Sequence, residues 1–220
     1  MSSSDFKKQL FEQFARIGKV LGSGHRLELL ELLAQGERTV EDLVRLTKLP
    51  MANVSQHLQQ LRRAALVSTR KNGLYVHYSL ASPVVSDLLS AVQKIAETHL
   101  SDVDKLVRTY LSSKDDLEPV SRRELLARAR NDLVTVLDVR PAEEYASGHV
   151  AGAINVELKD LSKRLHEFKR NREIVAYCRG PFCVLAYEAV AQLRAKGFKA
   201  RRLEGGFPEW KSAQLPIATR

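Results

Sequence analysis

The sequence predicts two domains: an N-terminal domain made mainly of α-helices and a C-terminal α/β domain with a parallel sheet. Three observations indicate this fold class. Apolar residues recur at helical spacing through the first half of the 220-residue chain. A polar, charged stretch at 113–120 is typical of a linker. After it, strand-like and helix-like runs alternate, as in parallel βαβ units. The predicted domains are therefore residues 1–112 and 121–220.

The composition is that of a folded protein, because 44% of the residues are apolar and Gly and Pro are sparse. No apolar run approaches the ~18 residues of a membrane span. The polar start lacks the basic head and apolar core of a signal peptide. We therefore expect a cytoplasmic protein with no membrane association. The net charge of +9 favours anionic partners, although general solubility explains it equally well.

Apolar spacing predicts four helices before residue 65, followed by a hairpin and a long helix. The third helix begins after Thr39, a good N-cap with Asp42 three residues on, and the fourth follows Pro50. Asn72-Gly73 predicts the hairpin turn, with positive φ at both residues. This order is typical of a winged helix-turn-helix. The predicted helices are 6–21, 24–34, a short one after Thr39, 51–64 and 83–111, and the predicted strands are 66–69 and 74–78.

The fourth helix carries an apolar side, Val54, Leu58 and Leu61, and a polar side opposite it. Asn, Gln and Arg match base edges in the major groove, whereas Arg and Lys also suit phosphates. A solvated helix face is the alternative, but the hairpin that follows favours DNA contact. The predicted DNA-binding residues are Asn53, Ser55, Gln56, His57, Gln59 and Gln60, with Arg62, Arg63, Arg70 and Lys71 assigned to phosphates.

Residues 53–67, NVSQHLQQLRRAALV, closely resemble the VSxHLxxLxxAGLV pattern of ArsR-type regulators, and Tyr78-Ser79-Leu80 resembles the Y-x-L that follows their wing. The resemblance covers about residues 5–110. It implies a homodimer, joined through the first helix and the long helix, on a double-stranded DNA operator. Metal-sensing members carry Cys pairs on the third helix or Asp/His sets on the dimer helix. Here that third helix has no Cys, and Asp87 and His99 lack a companion His, so we expect no metal site.

The second half alternates between helix-like and strand-like segments. These are helix 122–130, strands 133–139 and 153–156, helix 158–168, strand 173–177, helix 184–196, strand 199–203 and a last helix around Trp210. Cys178 and Cys183 lie between a strand and a helix. Two cysteines are too few for four-cysteine zinc, and in a cytosolic chain such a pair suggests chemistry more than a structural bridge. A helix N-terminus favours the thiolate, which is the form that attacks sulfur. A buried, inert cysteine is the alternative.

Three segments, 138–140, 144–155 and 205–210, resemble the rhodanese family in order and spacing, over about residues 119–218. The resemblance implies that Cys178 accepts a sulfane sulfur as a persulfide. It also implies that Asp138 and Arg140 support the loop through a polar network. The packing residues that it suggests are Tyr145, His149, Phe207 and Trp210.

The loop from Cys178 to Cys183 departs from the common C-x-x-G-x-R-S pattern. Cys183 stands at the Arg position and Pro181 at the Gly position, and we expect Arg179 to supply part of the lost charge. Val184 occupies the Arg position of a C-x5-R phosphatase loop, which argues against phosphoryl or arsenate chemistry. Cys183 is a candidate resolving thiol that would give a disulfide or polysulfide bridge with Cys178. A small apolar loop residue is the alternative.

Three functions follow. The first is a DNA-binding regulator, expected to be a repressor, whose C-terminal half senses or carries sulfane sulfur on Cys178. The second is a sulfurtransferase tethered to a DNA-binding domain, and the third is a repressor with an inactive appendage. The expected sulfur donors are thiosulfate, polysulfide or persulfide, and no cofactor is expected. Both cysteines lie in one loop and none lies in the DNA-binding half, which favours the first function.

Overall fold

The computed structural model describes residues 2–112 and 118–219. It forms two compact units, Met1–Leu89 and Ser90–Arg220. Residues 113–117 of the predicted linker lie outside the described residues, so the domain boundary at 112 and the linker at 113–120 stay predictions. Among the described residues, no helix combines the length and apolar character that a membrane crossing requires.

The N-terminal unit is mainly helical, with a small antiparallel sheet of order β1-β3-β2. Leu29, Leu43 and Leu58, from three different helices, are fully buried at its centre. The predicted N-cap is confirmed, because the Asp42 N–H donates to the Thr39 hydroxyl at 3.2 Å, and the Thr39 N–H donates to the Asp42 carboxylate in return, which forms a capping box. The elements are α1 (Ser3–Leu21), α2 (Gly24–Ala34), β1 (Arg38–Thr39), α3 (Val40–Thr47), α4 (Met51–Arg63), β2 (Val67–Asn72), β3 (Tyr75–Leu80) and α5 (Pro83–His99), which continues into the second unit.

Two local predictions for this half were wrong. Asn72 pairs with Tyr75 at the end of the hairpin, so the two turn residues are Gly73 and Leu74. Gly73 has φ 59° and Asn72 stays extended, because a two-residue turn with glycine first needs positive φ only there. The helix predicted over 83–111 is interrupted after α5. It resumes as α6 (Ser101–Val107) and ends in a π-helical turn, Arg108–Ser112.

The C-terminal unit contains the predicted parallel sheet, in the order β6-β4-β7-β8, together with a short antiparallel pair, β5-β9. The helix predicted over 158–168 is a short helix followed by a 3-10 turn, Leu165–Glu167. Elements of two to six residues were missed because they are too short to show a period. The elements are α7 (Arg122–Arg130), β4 (Val134–Asp138), α8 (Ala142–Ser147), β5 (His149–Val150), β6 (Ile154–Asn155), α9 (Leu158–Leu161), β7 (Glu173–Tyr177), α10 (Val184–Ala195), β8 (Ala200–Arg202), α11 (Phe207–Ser212) and β9 (Ile217–Ala218).

Cys178 lies at the carboxyl end of β7, at an edge of the sheet where binding and catalytic sites are common. Alternate residues of β7 face opposite sides, so Ala176 and Cys178 join one apolar cluster while Tyr177 joins the other. The chain runs from β4 to β6 on one side and then crosses to β7 on the other. Sites in open α/β sheets lie beyond the carboxyl ends of strands at such a switch. Asp138 and Tyr177 are paired in register at this edge, and Cys178 follows directly.

Candidate functional site

Cys178 lies at the end of β7, fully buried in the apolar cluster beside α10. Its carbonyl accepts the Phe207 N–H at 3.0 Å, which ties the loop to the first turn of α11. The backbone of Gly206 also lies against the loop. A Cβ on Gly206 would stand 2.6 Å from the Cys178 carbonyl oxygen and closer still to the Gly180 nitrogen. Only glycine fits there without moving backbone, so Gly206 fixes the position of the loop.

A disulfide joins Cys178 to Cys183 across the loop. The Cα atoms are 6.0 Å apart, a separation that ordinary disulfides span. The loop folds back because the Cys183 N–H donates to the Gly180 carbonyl at 3.2 Å. Cys183 is also the N-cap residue of α10, so both sulfur atoms lie by the positive end of a 12-residue helix. The arrangement is suited to a cycle between a dithiol and a disulfide.

Arg179 does not extend freely from the loop. Its Nη2 donates to Glu144 Oε1 at 2.6 Å, and its Nε lies 3.1 Å from both carboxylate oxygens. Glu144, on α8, is only 1% exposed. Paired hydrogen bonds between a guanidinium and a carboxylate are strong and directional. The positive charge that the sequence predicts for the loop is therefore engaged by a buried negative charge.

Asp138 and Arg140 form a fully buried ion pair beneath the loop, with Nη2 of Arg140 2.6 Å from Oδ2 of Asp138. The same Nη2 donates to the Gly148 carbonyl at 2.8 Å, and the guanidinium lies over the Phe207 ring at 4.2 Å. The resemblance implied that these two residues support the loop, and they lie in a network of the kind it describes. Because every partner is buried, the network holds the ends of β4 and α11 in one geometry.

Tyr177 completes this network and was not singled out from the sequence. Its hydroxyl donates to Asp138 Oδ2 at 2.6 Å and accepts the Val150 N–H at 3.0 Å. Burial and the negative charge of Asp138 raise the pKa of Tyr177 well above its ordinary value of 10.0. The phenol is therefore neutral at physiological pH and acts as a fixed link between β7, β4 and β5.

The residues predicted to pack around this frame are buried and hydrogen-bonded. The Tyr145 hydroxyl donates to the Ala153 carbonyl at 2.7 Å, and its ring stacks on His149 at 3.6 Å. Trp210 Nε1 donates to the Pro216 carbonyl at 2.9 Å. Since these side chains are directed at backbone groups rather than at the Cys178 loop, their positions suit packing.

The exposed side of α4 carries most of the predicted DNA-binding residues. Its apolar side, Val54, Leu58 and Leu61, is fully buried in the unit. The exposed residues of this side are Asn53, Gln56, Gln59, Arg62 and Arg63. Ser55 is half-buried, and Lys71 is exposed on the wing. The helix therefore presents amides and guanidiniums to solvent from one contiguous side.

Two predicted base-contacting residues of α4 are turned inward instead. Gln60 accepts a hydrogen bond from Arg26 of α2 at 2.6 Å, and Arg26 also donates to the Val20 carbonyl. His57 lies half-buried with its ring 5.7 Å from that of His25, and its Nδ1 is buried without a hydrogen-bond partner. Burial first, then the neighbouring Arg26 and His25, lower the pKa of His57. These contacts fix the angle of α4 on α2.

On the wing, Arg70 is held by Glu37. Its Nη2 lies 2.6 Å from Glu37 Oε2, and His77 lies 3.6 Å from the same oxygen. The hydrogen bond from Arg70 lowers the pKa of Glu37. The sequence assigned Arg70 to a phosphate, and the structure shows a carboxylate that competes for it.

Sequence reasoning missed Glu144, Gly206 and Glu37. Glu144 lies within the rhodanese-like segment, but an Ala-Glu-Glu-Tyr run does not tell which glutamate turns inward. Nothing local predicts Glu37 or the close approach at Gly206, because both depend on chain segments that are distant in sequence.

Comparison with known families agrees with both halves. Residues 23–69 match the family described as bacterial regulatory protein, arsR family, and residues 121–213 match the rhodanese-like domain. The chain belongs to the arsR family of bacterial regulatory proteins and carries a C-terminal rhodanese-like domain. Both resemblances seen in the sequence are thus confirmed.

Three relatives illustrate this. The HTH-type transcriptional regulator Rv0324 of Mycobacterium tuberculosis is 44% identical over 97% of this chain and 94% of its own length. A protein named sulfurtransferase from Allochromatium vinosum is 30% identical over 46% of this chain and 91% of its own length. A homodimeric winged helix-turn-helix domain from Mycobacterium bovis is 41% identical, covering 46% of this chain and 93% of that one, with a TM-score of 0.43. The chain is accordingly a transcription regulator with a DNA-binding winged helix-turn-helix.

Proposed function

We propose that the rhodanese-like domain of this regulator senses sulfane sulfur. Cys178 takes up the sulfur as a persulfide, Cys183 resolves it to a disulfide, and the change alters the affinity of the protein for its operator. We expect the protein to act as a repressor.

The observation that carries this proposal is the Cys178–Cys183 disulfide. A reactive thiol next to a second thiol is the usual arrangement of a redox sensor. The pairing disfavours the reading of Cys183 as a mere apolar loop residue. In the disulfide form Cys178 is fully buried and has no thiolate to attack a donor, so the disulfide must be reduced before Cys178 takes up sulfur.

The chemistry has two balanced steps. First, the Cys178 thiolate attacks the outer sulfur of a persulfide R–S–SH. A new S–S bond forms on Cys178, the donor S–S bond breaks, and RS⁻ leaves. Second, the sulfur of Cys183 attacks Sγ of Cys178, and the bond from Sγ to the outer sulfur breaks. The outer SH leaves with the bonding pair and takes up the Cys183 thiol proton, so hydrogen sulfide is released. Overall, two protein thiols are oxidised to a disulfide and one sulfane sulfur is reduced to sulfide.

A homodimer is supported by apolar side chains that the described chain leaves in solvent. None of the residues of α1 is buried, and the helix exposes four large apolar side chains, Phe6, Leu10, Phe11 and Phe14. Val84, Ile95, Leu100 and Leu106 are exposed on or beside α5 and α6. Exposed apolar residues grouped in this way mark interaction surfaces. A two-fold dimer would present two copies of α4 to a palindromic operator, with Asn53 and Gln56 directed at the major groove and Arg63 at a phosphate.

The test is operator binding by full-length protein with and without a persulfide donor. The duplex is one selected from random-sequence DNA by the reduced protein, and affinity is read by fluorescence anisotropy. We expect the donor to change the Kd of the wild type about 10-fold, within the usual range of coupling between sites, and to leave Cys178→Ser unchanged. Equal affinity in both proteins with and without the donor would contradict sensing through Cys178.

Mass spectrometry of the donor-treated proteins tests the resolving step. Wild type should carry the disulfide, whereas Cys183→Ser should retain one extra sulfur on Cys178. A persulfide that persists in the wild type as it does in Cys183→Ser would remove Cys183 from the mechanism.

A second candidate is a sulfurtransferase tethered to DNA, which the similarity to the protein named sulfurtransferase favours. Turnover of thiosulfate with cyanide, lost in Cys178→Ser, would support it. A protein with neither turnover nor a donor-dependent Kd would be a repressor with an inactive appendage.

A further inference from the structure

Two guanidiniums lie at the Cys178 loop, and a buried carboxylate engages each of them. Arg179 is the only cationic residue within 178–183, and Glu144 holds it through three contacts of 2.6 to 3.1 Å. Arg140, beneath the loop, is held by Asp138, with both side chains fully buried. Each pair is close to neutral as a unit, so neither adds net positive charge for an incoming anion.

The loop backbone also offers fewer donors than its length suggests. Pro181 has no N–H, and the Cys183 N–H is already donated to the Gly180 carbonyl. Anions bound without a cation depend on such N–H groups. Two of the six loop positions are thus unable to hold an anionic sulfur donor.

Outside the loop, the guanidinium of Arg202 lies over the Tyr187 ring at 3.7 Å. The Tyr187 hydroxyl donates to the Pro181 carbonyl at 3.4 Å. The cleft beside the loop is lined by equal numbers of basic and acidic side chains, which are Lys94, Arg122, Arg202, Glu97, Glu204 and Glu209. The surroundings of the loop are thus mixed in charge rather than cationic.

We propose that this loop takes its sulfur from a thiol persulfide and discriminates against thiosulfate, an inference that rests on the proposed function. Thiosulfate brings two negative charges to the Cys178 thiolate. Its sulfane sulfur is transferred as the S–S bond breaks, and sulfite leaves as a dianion. A thiol persulfide carries at most one charge, and its leaving group is a thiolate. Burying a charge without a partner is costly, so the donor with less charge reacts faster in this loop.

The experiment compares Cys183→Ser with Cys183→Arg in reduced, full-length protein. Both variants lack the resolving thiol, so the persulfide on Cys178 accumulates and is counted by mass spectrometry over time. They differ in whether a cation stands opposite Cys178. In Cys183→Ser we expect thiosulfate to load Cys178 about 10- to 100-fold more slowly than cysteine persulfide, the cost of one missing charged hydrogen bond. In Cys183→Arg we expect that gap to close, because the rate for thiosulfate rises relative to the rate for cysteine persulfide in the same variant.

Glu144→Gln provides a second route to the same result, because it leaves Arg179 without its carboxylate. It should raise the thiosulfate rate, whereas Glu143→Gln, the same change at the exposed neighbour on α8, should not. Fluorescence of Trp210, the only tryptophan of the chain, confirms that each variant is folded.

The outcomes separate the two proposals. If thiosulfate loads Cys183→Ser as fast as cysteine persulfide does, the donor preference is wrong while sulfur sensing stands. If neither donor loads Cys178 in a folded protein, the proposed function itself is wrong. A gap that persists in both Cys183→Arg and Glu144→Gln would also overturn the charge argument.

Discussion

The exposed side of α4 and the Cys178 loop differ in how their polar side chains are placed, in solvent on α4 and in buried contacts at the loop. On α4, side chains such as Asn53 and Arg63 extend into solvent above a buried apolar stripe. At the loop, Cys178, Asp138 and Arg140 are fully buried and bonded to one another or to backbone. A surface that reads DNA needs side chains free to meet bases and phosphates. A reactive thiol needs a frame that fixes its direction and limits access.

The difference teaches where each site is vulnerable. Removing a side chain from the exposed side of α4 should remove a proposed contact with DNA but no packing within the unit. Removing one from the frame leaves a buried charge or a displaced backbone. Mutations should therefore divide into those that change binding alone and those that change stability first.

The largest effect is expected for Arg140→Met. The substitution leaves Asp138 buried without its cation, and breaking a buried pair in this way costs about 3–5 kcal/mol. Trp210 is buried in the same unit, so its fluorescence during urea unfolding reports this loss. Arg172→Met is the control, because its partner Asp132 is largely exposed and exposed ion pairs contribute little to stability. Equal midpoints for the two variants would show that the frame is not stabilising.

Arg63→Ala should weaken operator binding about 10-fold, or ~1.4 kcal/mol, without changing the stability of either unit. Arg63 is exposed on α4, so its loss removes only the contact with DNA. The measurement is the Kd at fixed salt. Arg130→Ala removes the same charge from an exposed position in the other unit and should bind as wild type does. An unchanged Kd for Arg63→Ala would mean that α4 docks on another side.

Glu37→Gln should strengthen DNA binding slightly, because Arg70 no longer forms a surface ion pair and is available to a phosphate. One further phosphate contact should steepen the dependence of log Kd on log salt by about 0.9. Titration at several salt concentrations measures both changes. Glu41→Gln, an exposed change on α3, is the matched control, and an identical slope for the two variants would place Arg70 away from DNA.

The smallest effect is a pH dependence at the contact between α4 and α2. Burial lowers the pKa of His57 below its ordinary value of 6.5. The unfolded chain therefore binds the proton more readily, so this stability is present above pH 6.5 and is lost as the pH falls through the folded-state pKa. Hydrogen exchange of Met51–Arg63, corrected for intrinsic rates, should show less protection at pH 5 than at pH 7. His57→Gln should lose less protection over that interval, and an equal loss would assign the effect to other groups.

The sequence alone predicts different amounts of the two sites. Local spacing predicted helix α2 and strand β7 with the bounds that the structure shows. It also predicted Thr39 as the N-cap of α3. On α4, local periodicity correctly separated the buried Val54, Leu58 and Leu61 from an outward polar side. It did not show that Gln60 and His57 turn toward α2, because the side chains that they meet belong to that other helix.

The sequence by itself determined the two folds, the family and the presence of two cysteines in one loop, because periodicity, spacing and family motifs are properties of the chain alone. Only the tertiary structure decided which charges remain available. Glu144 engages Arg179, Glu37 engages Arg70, and Gly206 leaves room for the loop backbone. In each case the two groups are more than 25 residues apart, so their meeting depends on packing between elements rather than on any local pattern.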